Sequence, residues 1–456
     1  MLPMESNDTG LDYGRTSKMP VDLVIQGGTA ITMVPGQPPI HNARVLIKKD
    51  RIIAIGPSSE TPIPQGGSIE TVDAKDAIIM PGLVNAHTHT AMTLFRGFAD
   101  DLPLKEWLFE RIFPAEANFL SPETVYRGAL LGCIEMIASG TTCLADGYFF
   151  QDQTVRAVHE SGLRGLVAQG IIDFPAPGVP DPKENIRMGQ DFLEKWHHFS
   201  DRITPGLFCH SPVTCSPKTL RLAQQISREY GVPLQIHLSE TLTEVSEILE
   251  ISGKRPTHYL DQMGLVDSHL IAAHGVHLDE TELRCLHEKG AKLVHVPESN
   301  MKLSSGIAPL DRITAIGLTT GLGTDGCASN NNLDLFGEMD TAAKLAKVST
   351  QNPEVLKAYI VLEMATLGGA AALGLDKETG SLEKGKKADI IVVDLKSPHL
   401  CPMFDPVSAL VYSAGGADVK DVVVNGVPLM REKEFCSLDQ DEIMAKVREI
   451  SKRIHL

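Results

Sequence analysis

Apolar positions along this chain change their spacing between the ends and the middle. From residue 21 to 80 they fall in short runs rich in Val and Ile, "VDLVIQGGTAITM", "ARVLIKKDRIIAIG" and "DAIIMPG", punctuated by Gly and Asp-Arg. That is the texture of short strands joined by turns. It returns near the C-terminus in "KADIIVVDLK" and "KDVVVNGVPLM". Two β-rich ends predict one small β-sandwich built from both, over residues 21–80 plus 385–436.

Between them short apolar strands alternate with longer helical stretches. Eight strands are expected, in "PGLVNAHTH", "TTCLADG", "LRGLVAQGI", "ITPGLFCH", "PLQIHLSE", "LIAAHGVH", "AKLVHVPES" and "TTGLGTDG". The segments between, such as "SPETVYRGALLGCIEMIAS" and "SPKTLRLAQQISREYG", carry helical apolar spacing with Ser-Pro starts and Gly stops. Eight alternating units predict an α/β fold with a (β/α)₈ TIM-type barrel over residues 81–384. The last stretch, 437–456, reads as an amphipathic helix docked on the surface, and residues 1–20 as a disordered leader.

Composition narrows the class. With 43% hydrophobic residues in 456, a sizeable core can be buried. The net charge is −16 with no basic run, which argues against nucleic acid as a partner. No segment approaches the roughly 18 apolar residues of a membrane span, and the N-terminus lacks a signal peptide's apolar stretch. The eight cysteines are scattered without a C-x-x-C, which suits reduced thiols in the cytoplasm.

The candidate chemistry sits at the strand ends. In a strand, residues two apart face the same side, so His87 and His89 point one way where the first strand stops. His210, His237 with Glu240, His274 and Asp325 end four further strands. In such barrels that rim carries the active site. Imidazole and carboxylate suit a divalent metal, and a catalytic metal site keeps a position for water, which then ionises near neutral pH. His87, His89, His237 and Asp325 would hold one metal: zinc first, with iron or manganese as alternatives. Asp325 could also take a proton from the water, Glu240 carry protons to the substrate, and His274 hold the nucleophile or stabilise charge.

A lone buried histidine is ordinarily a hydrogen-bonded core group; a set on successive strand ends points to a metal. His295 is assigned a structural role, His159, His197 and His198 the surface, and Cys327 packing behind Asp325. Cys209 and Cys215 lack zinc-finger spacing. There is no G-x-S-x-G, H-E-x-x-H or Walker loop, and the cytidine-type deaminase signature is also missing.

Taken together, "PGLVNAHTHTAMTLFRGFADDLPLKEWL", "IHLSE", "AAHGVH" and "GLGTDGCASNNNLDLF" resemble the amidohydrolase superfamily, and within it the 5′-methylthioadenosine/S-adenosylhomocysteine deaminases, from about Val21 to Phe435. The resemblance implies the same metal ligands, with Glu240, His274 and Asp325 catalytic. It implies that Trp107 lines a nucleoside pocket, Glu116 accepts the ribose hydroxyls, and His210 and Ser329 contact the substrate. It implies a homo-oligomer as well. One departure stands out: Gln169 falls where some members place an arginine for the carboxylate of S-adenosylhomocysteine, leaving Lys183 or Arg187 as possible substitutes. Loss of a bidentate cation weakens carboxylate binding, so neutral 5′-substituted adenosines such as 5′-methylthioadenosine are expected over S-adenosylhomocysteine. The alternatives are another aminated heterocycle (guanine, cytosine or an s-triazine) and a barrel that has lost catalysis and serves as a scaffold.

Overall fold

All eight expected segments become strands of one parallel sheet in neighbour order, from Leu83–Thr88 through Thr141–Tyr148, Arg164–Ile171, Ile203–Cys209, Leu234–Leu238, Leu270–His274 and Lys292–His295 to Thr320–Leu322. The computed structural model describes residues 21–64 and 68–454; the leader expected over 1–20 lies outside them. The sheet closes where Thr88 bridges Asp325 in parallel. There the amides of Thr324 and Asp325 both donate to the His87 carbonyl, at 3.1 and 3.0 Å. Closure needs Gly323: a Cβ at that position would lie 2.7 Å from the His87 oxygen.

Alternation along the strands sorts two cores. Val84, Ala86, Cys143, Ala145, Leu166, Ala168, Phe208, Ile271, Val294 and Val296 fill the barrel interior. Their outward neighbours, among them Leu144, Val167, Leu207, Ile236 and Leu293, pack under the helices. The helices start and stop where the sequence signals do. Ser121 caps Pro122–Ala138 in a capping box with Thr124, and Ser216 caps Pro217–Tyr230, which ends on Gly231 at φ +66°.

The two chain ends meet in two further sheets. One holds Arg51–Pro57, Ala43–Lys48, Leu23–Gln26 and Glu70–Asp73; the other joins Thr29–Ala30 and Ala77–Pro81 to Ile390–Asp394, Val419–Val424, Val427–Arg431 and Glu434–Phe435. Residues from both ends, such as Ile25, Val45, Ile79, Ile390 and Val423, share one buried cluster. Arg164, at the start of a barrel strand, pairs with Asp389 beside this unit at 2.8 Å, both side chains almost fully buried. The C-terminal helix Gln440–Ser451 lays Ile443 and Val447 onto the surface, Ile443 against Ala129, Leu130 and Ile134. Among the described residues no helix is long and apolar enough to cross a membrane.

Candidate active site

The strand ends converge. His237 Nε2 lies 3.2 Å from His87 Nε2, and Asp325 Oδ1 lies 3.6 Å from His87 Nε2 and 3.1 Å from His89 Nε2. His274 Nε2 faces Glu240 Oε2 at 3.8 Å. Potential ligand atoms of His87, His237, His274 and Asp325 all lie within 4.8 Å of one another, and His89 joins through Asp325. This donor set fits a borderline divalent cation.

Local backbone explains how these rings meet. His237 continues its strand's inward phase, opposite Leu234, Ile236 and Leu238, which face the helices. His89 lies just beyond its strand, before the 3₁₀ turn Thr90–Phe95, and that turn is anchored by buried Asp146, which accepts from the Thr90 amide at 2.5 Å. His274 breaks alternation: Leu270 and Ala272 face outward on its strand, but a left-handed backbone, φ +74°, re-aims the ring. Asp325, at φ +59°, and Ser239, at φ +51°, are strained in the same way. Each such residue costs on the order of 1–3 kcal/mol, and such strain collects at functional sites.

The electrostatics suit a cation. Burial pulls the His87 pKa down to about 4 and His210 to about 3, and sends His237 well below its ordinary value. Burial also opposes charge on Asp325, but hydrogen bonds with His87 and His89 outweigh it and hold that carboxyl well below the usual range. Burial also opposes charge on His89 and His274, but Asp325 for the one and Glu240 for the other raise both above the ordinary value. His87 and His237 thus offer free lone pairs beside an ionised carboxylate, and a cation binding there would displace the proton from His89. Three of these groups are oriented from behind. His89 Nδ1 meets the Gly147 carbonyl at 2.5 Å and His274 Nδ1 the Asn300 amide oxygen at 2.9 Å, leaving both Nε2 atoms facing the site. The hydroxyls of Ser299 and Ser329 donate to Asp325 Oδ2 at 2.7 and 2.8 Å.

Above this floor opens a pocket lined by Trp107, Leu108, Ile112, Phe113, Phe149, Ile172 and Leu303, with His210 and Glu116. A mostly apolar lining with a few convergent polar groups is the character of a small-molecule site. Trp107 is 6% exposed and Glu116 2%. Burial pushes the Glu116 carboxyl up to about 7 even though Tyr148 donates to it at 2.5 Å. Of the residues singled out in the sequence for the substrate, Gln169, Lys183 and Arg187 are not brought here. The strand of Gln169 sends Leu166 and Ala168 inward, so Gln169 points out, into a shallow cleft with Phe150, Asp152 and Lys195. Ser329 lines the pocket, but its hydroxyl serves Asp325. His295 is buried with its Nδ1 unpartnered, on the outward phase of its strand.

Sequence reasoning missed Tyr148, Asn300, Asp146 and Glu244. Tyr148 was findable, since it ends the second barrel strand. Glu244 was disguised: "TLTE" reads as a helix capping box, and Thr241 does cap that helix. The Glu244 carboxylate instead accepts from the amides of Ser239 at 2.7 Å and Glu240 at 2.9 Å. Burial, opposed by those two amides, raises its pKa to about 7.

Comparison with known proteins agrees with this geometry. Residues 78–429 match the Amidohydrolase family. A curated 5-methylthioadenosine/S-adenosylhomocysteine deaminase of Syntrophobacter fumaroxidans is 45% identical over 433 residues, covering 95% of this chain and 98% of its own. A 5′-deoxyadenosine deaminase of Methanosarcina mazei is 46% identical over 437 residues, with coverage of 95% and 98%. Among solved structures, a zinc-bound adenosine deaminase from Xanthomonas campestris superposes with a TM-score of 0.92 at 37% identity, over 95% of this chain and 98% of that one.

Proposed function

The chain belongs to the amidohydrolase family, and on that premise we propose that it is a metal-dependent hydrolytic deaminase that converts 5′-substituted adenosines to their inosine analogues and ammonia. The observation that carries this reading is one pocket with metal-type donors and proton-handling groups at its floor and a buried carboxylate, Glu116, on its wall. The named activities of its relatives support it.

His87, His89, His237 and Asp325 would hold the cation, with zinc the first choice over iron or manganese. His89 is preferred to His274 because its Nε2 faces Asp325 at 3.1 Å, while His274 Nε2 faces Glu240. When bound there, the cation supplies a Lewis acid that acidifies water near neutral pH. Asp325 takes a proton from the attacking water, and His274, its tautomer set by Asn300, holds that water against C6 of the adenine. Glu240, steadied by a hydrogen bond from Ser305 at 3.0 Å, delivers a proton to N1 as the C6–O bond forms. The C6–N6 bond then breaks, with a second proton going to the leaving nitrogen, and ammonia departs. Trp107 and the apolar wall exclude bulk water, Glu116 accepts the ribose hydroxyls, and His210 contacts the nucleoside.

The 5′ group is read as neutral, with 5′-methylthioadenosine ahead of S-adenosylhomocysteine. Among the described residues no lysine or arginine lines the pocket. Lys183 is exposed, and Arg187 is engaged by Glu184 and Asp191 at 2.6 and 2.8 Å. In this reading residues 81–384 are the catalytic unit and 21–80 with 385–436 its companion. The protein is taken as a cytoplasmic homo-oligomer, a state that light scattering tests. The deciding experiment follows ultraviolet absorbance of zinc-loaded protein with 5′-methylthioadenosine, S-adenosylhomocysteine, adenosine and adenine. Loss of the adenine band, greatest with the methylthio compound, is the expected result. No change with any of the four overturns the reading in favour of another heterocycle, and a chain that binds no metal points to a scaffold.

A further inference from the structure

A second cleft of about 310 Å³ adjoins the nucleoside pocket and shares Phe113, Glu116 and Phe149 with it. Its other walls are Phe109, Phe174 and the prolines around them. Phe113 is the partition: its ring stands 5.3 Å from Phe109, 5.4 Å from Phe174 and 5.9 Å from His210, each near edge-to-face. Phe109 is half exposed, a large aromatic left open beside the cleft.

Two backbone features set these walls. Trp107–Ile112 is a π-helical turn running directly into the helix Phe113–Phe119. Its wider turn lets one short segment serve both spaces, burying Trp107 and Ile112 against the nucleoside pocket and leaving Phe109 on the cleft. Such turns are characteristic of functional sites. Across the cleft, Ala176 and Val179 exchange backbone hydrogen bonds of 3.1 and 2.9 Å, so the loop carrying Phe174 is pinned back on itself.

We propose that this cleft is a subsite for a bulky, uncharged, apolar 5′ substituent, an arylthio or long alkylthio group on the adenosine. The inference rests on the deaminase reading above. If Glu116 receives the ribose hydroxyls, the adjoining 5′ carbon lies at the wall the two spaces share. An apolar tail buries itself against aromatic faces. A tail bearing a carboxylate meets no cation among the described lining residues, only the carboxyl of Glu116.

The test compares kcat/KM for 5′-deoxyadenosine, 5′-methylthioadenosine, 5′-benzylthio-5′-deoxyadenosine and S-adenosylhomocysteine on zinc-loaded enzyme. The expected result is a rise of about tenfold or more from the deoxy to the benzylthio compound, with S-adenosylhomocysteine below both thioethers. Phe109→Ser and Phe174→Ser should lower the benzylthio value about tenfold more than the deoxy value, at unchanged metal content. A benzylthio compound slower than the methylthio one, S-adenosylhomocysteine faster than either, or variants that lower all substrates equally would each overturn the subsite while leaving the deaminase reading intact. Failure to turn over any adenosine with metal bound would remove the deaminase reading, and the subsite with it.

Discussion

The floor of the pocket and its outer wall are built in opposite ways. On the floor several groups have a hydrogen-bond partner behind them: Gly147 for His89, Asn300 for His274, Ser299 and Ser329 for Asp325, and Glu244 for the turn that carries Glu240. At the outer wall Phe109, Phe113 and Phe174 meet ring to ring, contacts worth only about 0.5–1.5 kcal/mol each beyond the area they bury. Chemistry tolerates little misplacement, since a displacement of about 1 Å can cost a hundredfold. Burial of a substituent depends on area and tolerates more. In the proposed reading the floor dictates the reaction, and the wall selects among related substrates.

Breaking the floor should have the largest effects. Asp325→Ala should abolish zinc retention, measured by metal analysis, and turnover with it; wild-type turnover in that variant would remove Asp325 from the site. Glu240→Gln should keep the metal and lower kcat by about 10²–10⁴-fold with little change in KM. A smaller loss, about 10–100-fold, is expected from Glu244→Gln and Asn300→Ala. Both variants leave every first-contact group in place, so a kcat effect with intact metal content would show that orientation from behind matters. An unchanged kcat would make those hydrogen bonds purely structural.

The wall should respond in KM. Glu116 must be ionised to accept two hydroxyls, and burial pushes its pKa up to about 7. It is largely neutral below that pH and charged above, so KM for ribosides should fall as pH rises through about 7. A bound cation would move the midpoint lower without changing the sign. Glu116→Gln should erase this dependence. Tyr148→Phe removes the donor that favours the carboxylate, and should shift the fall in KM to higher pH and raise KM by roughly tenfold, in line with a hydrogen bond to a charged group. A KM that stays flat with pH in the wild type would separate Glu116 from the substrate.

Legibility followed the same division. The barrel strands were readable because each is a short apolar run bounded by turn residues, and His237 because its strand ends in phase; His87 follows inward Val84 and Ala86 and turns to the site only through an irregularity between Asn85 and Thr88. Period two was also enough to place Gln169 outside, given Leu166 and Ala168 within, but the resemblance to arginine-bearing relatives pulled it toward the substrate. Trp107 and Glu116 came only from that resemblance, since a π-helical turn breaks the 3.6-residue rhythm that would assign faces. Glu244 was hidden because a capping glutamate and a backbone clamp share one sequence pattern.

By itself the sequence determined the eight-strand order, the residue types that converge and the end of the barrel where they gather. These follow from local periodicity and residue type, which any short stretch carries alone. Only the tertiary structure decided which side chains actually face one another. The ring of His274 and the carboxylate of Asp325 depend on left-handed residues, which contacts from elsewhere in the chain must hold. Barrel closure joins Thr88 to Asp325 across 237 positions. The raised pKa of Glu116 arises from burial that its own helix does not provide. Strain, closure and burial are relations between distant segments, so no single stretch of sequence contains them.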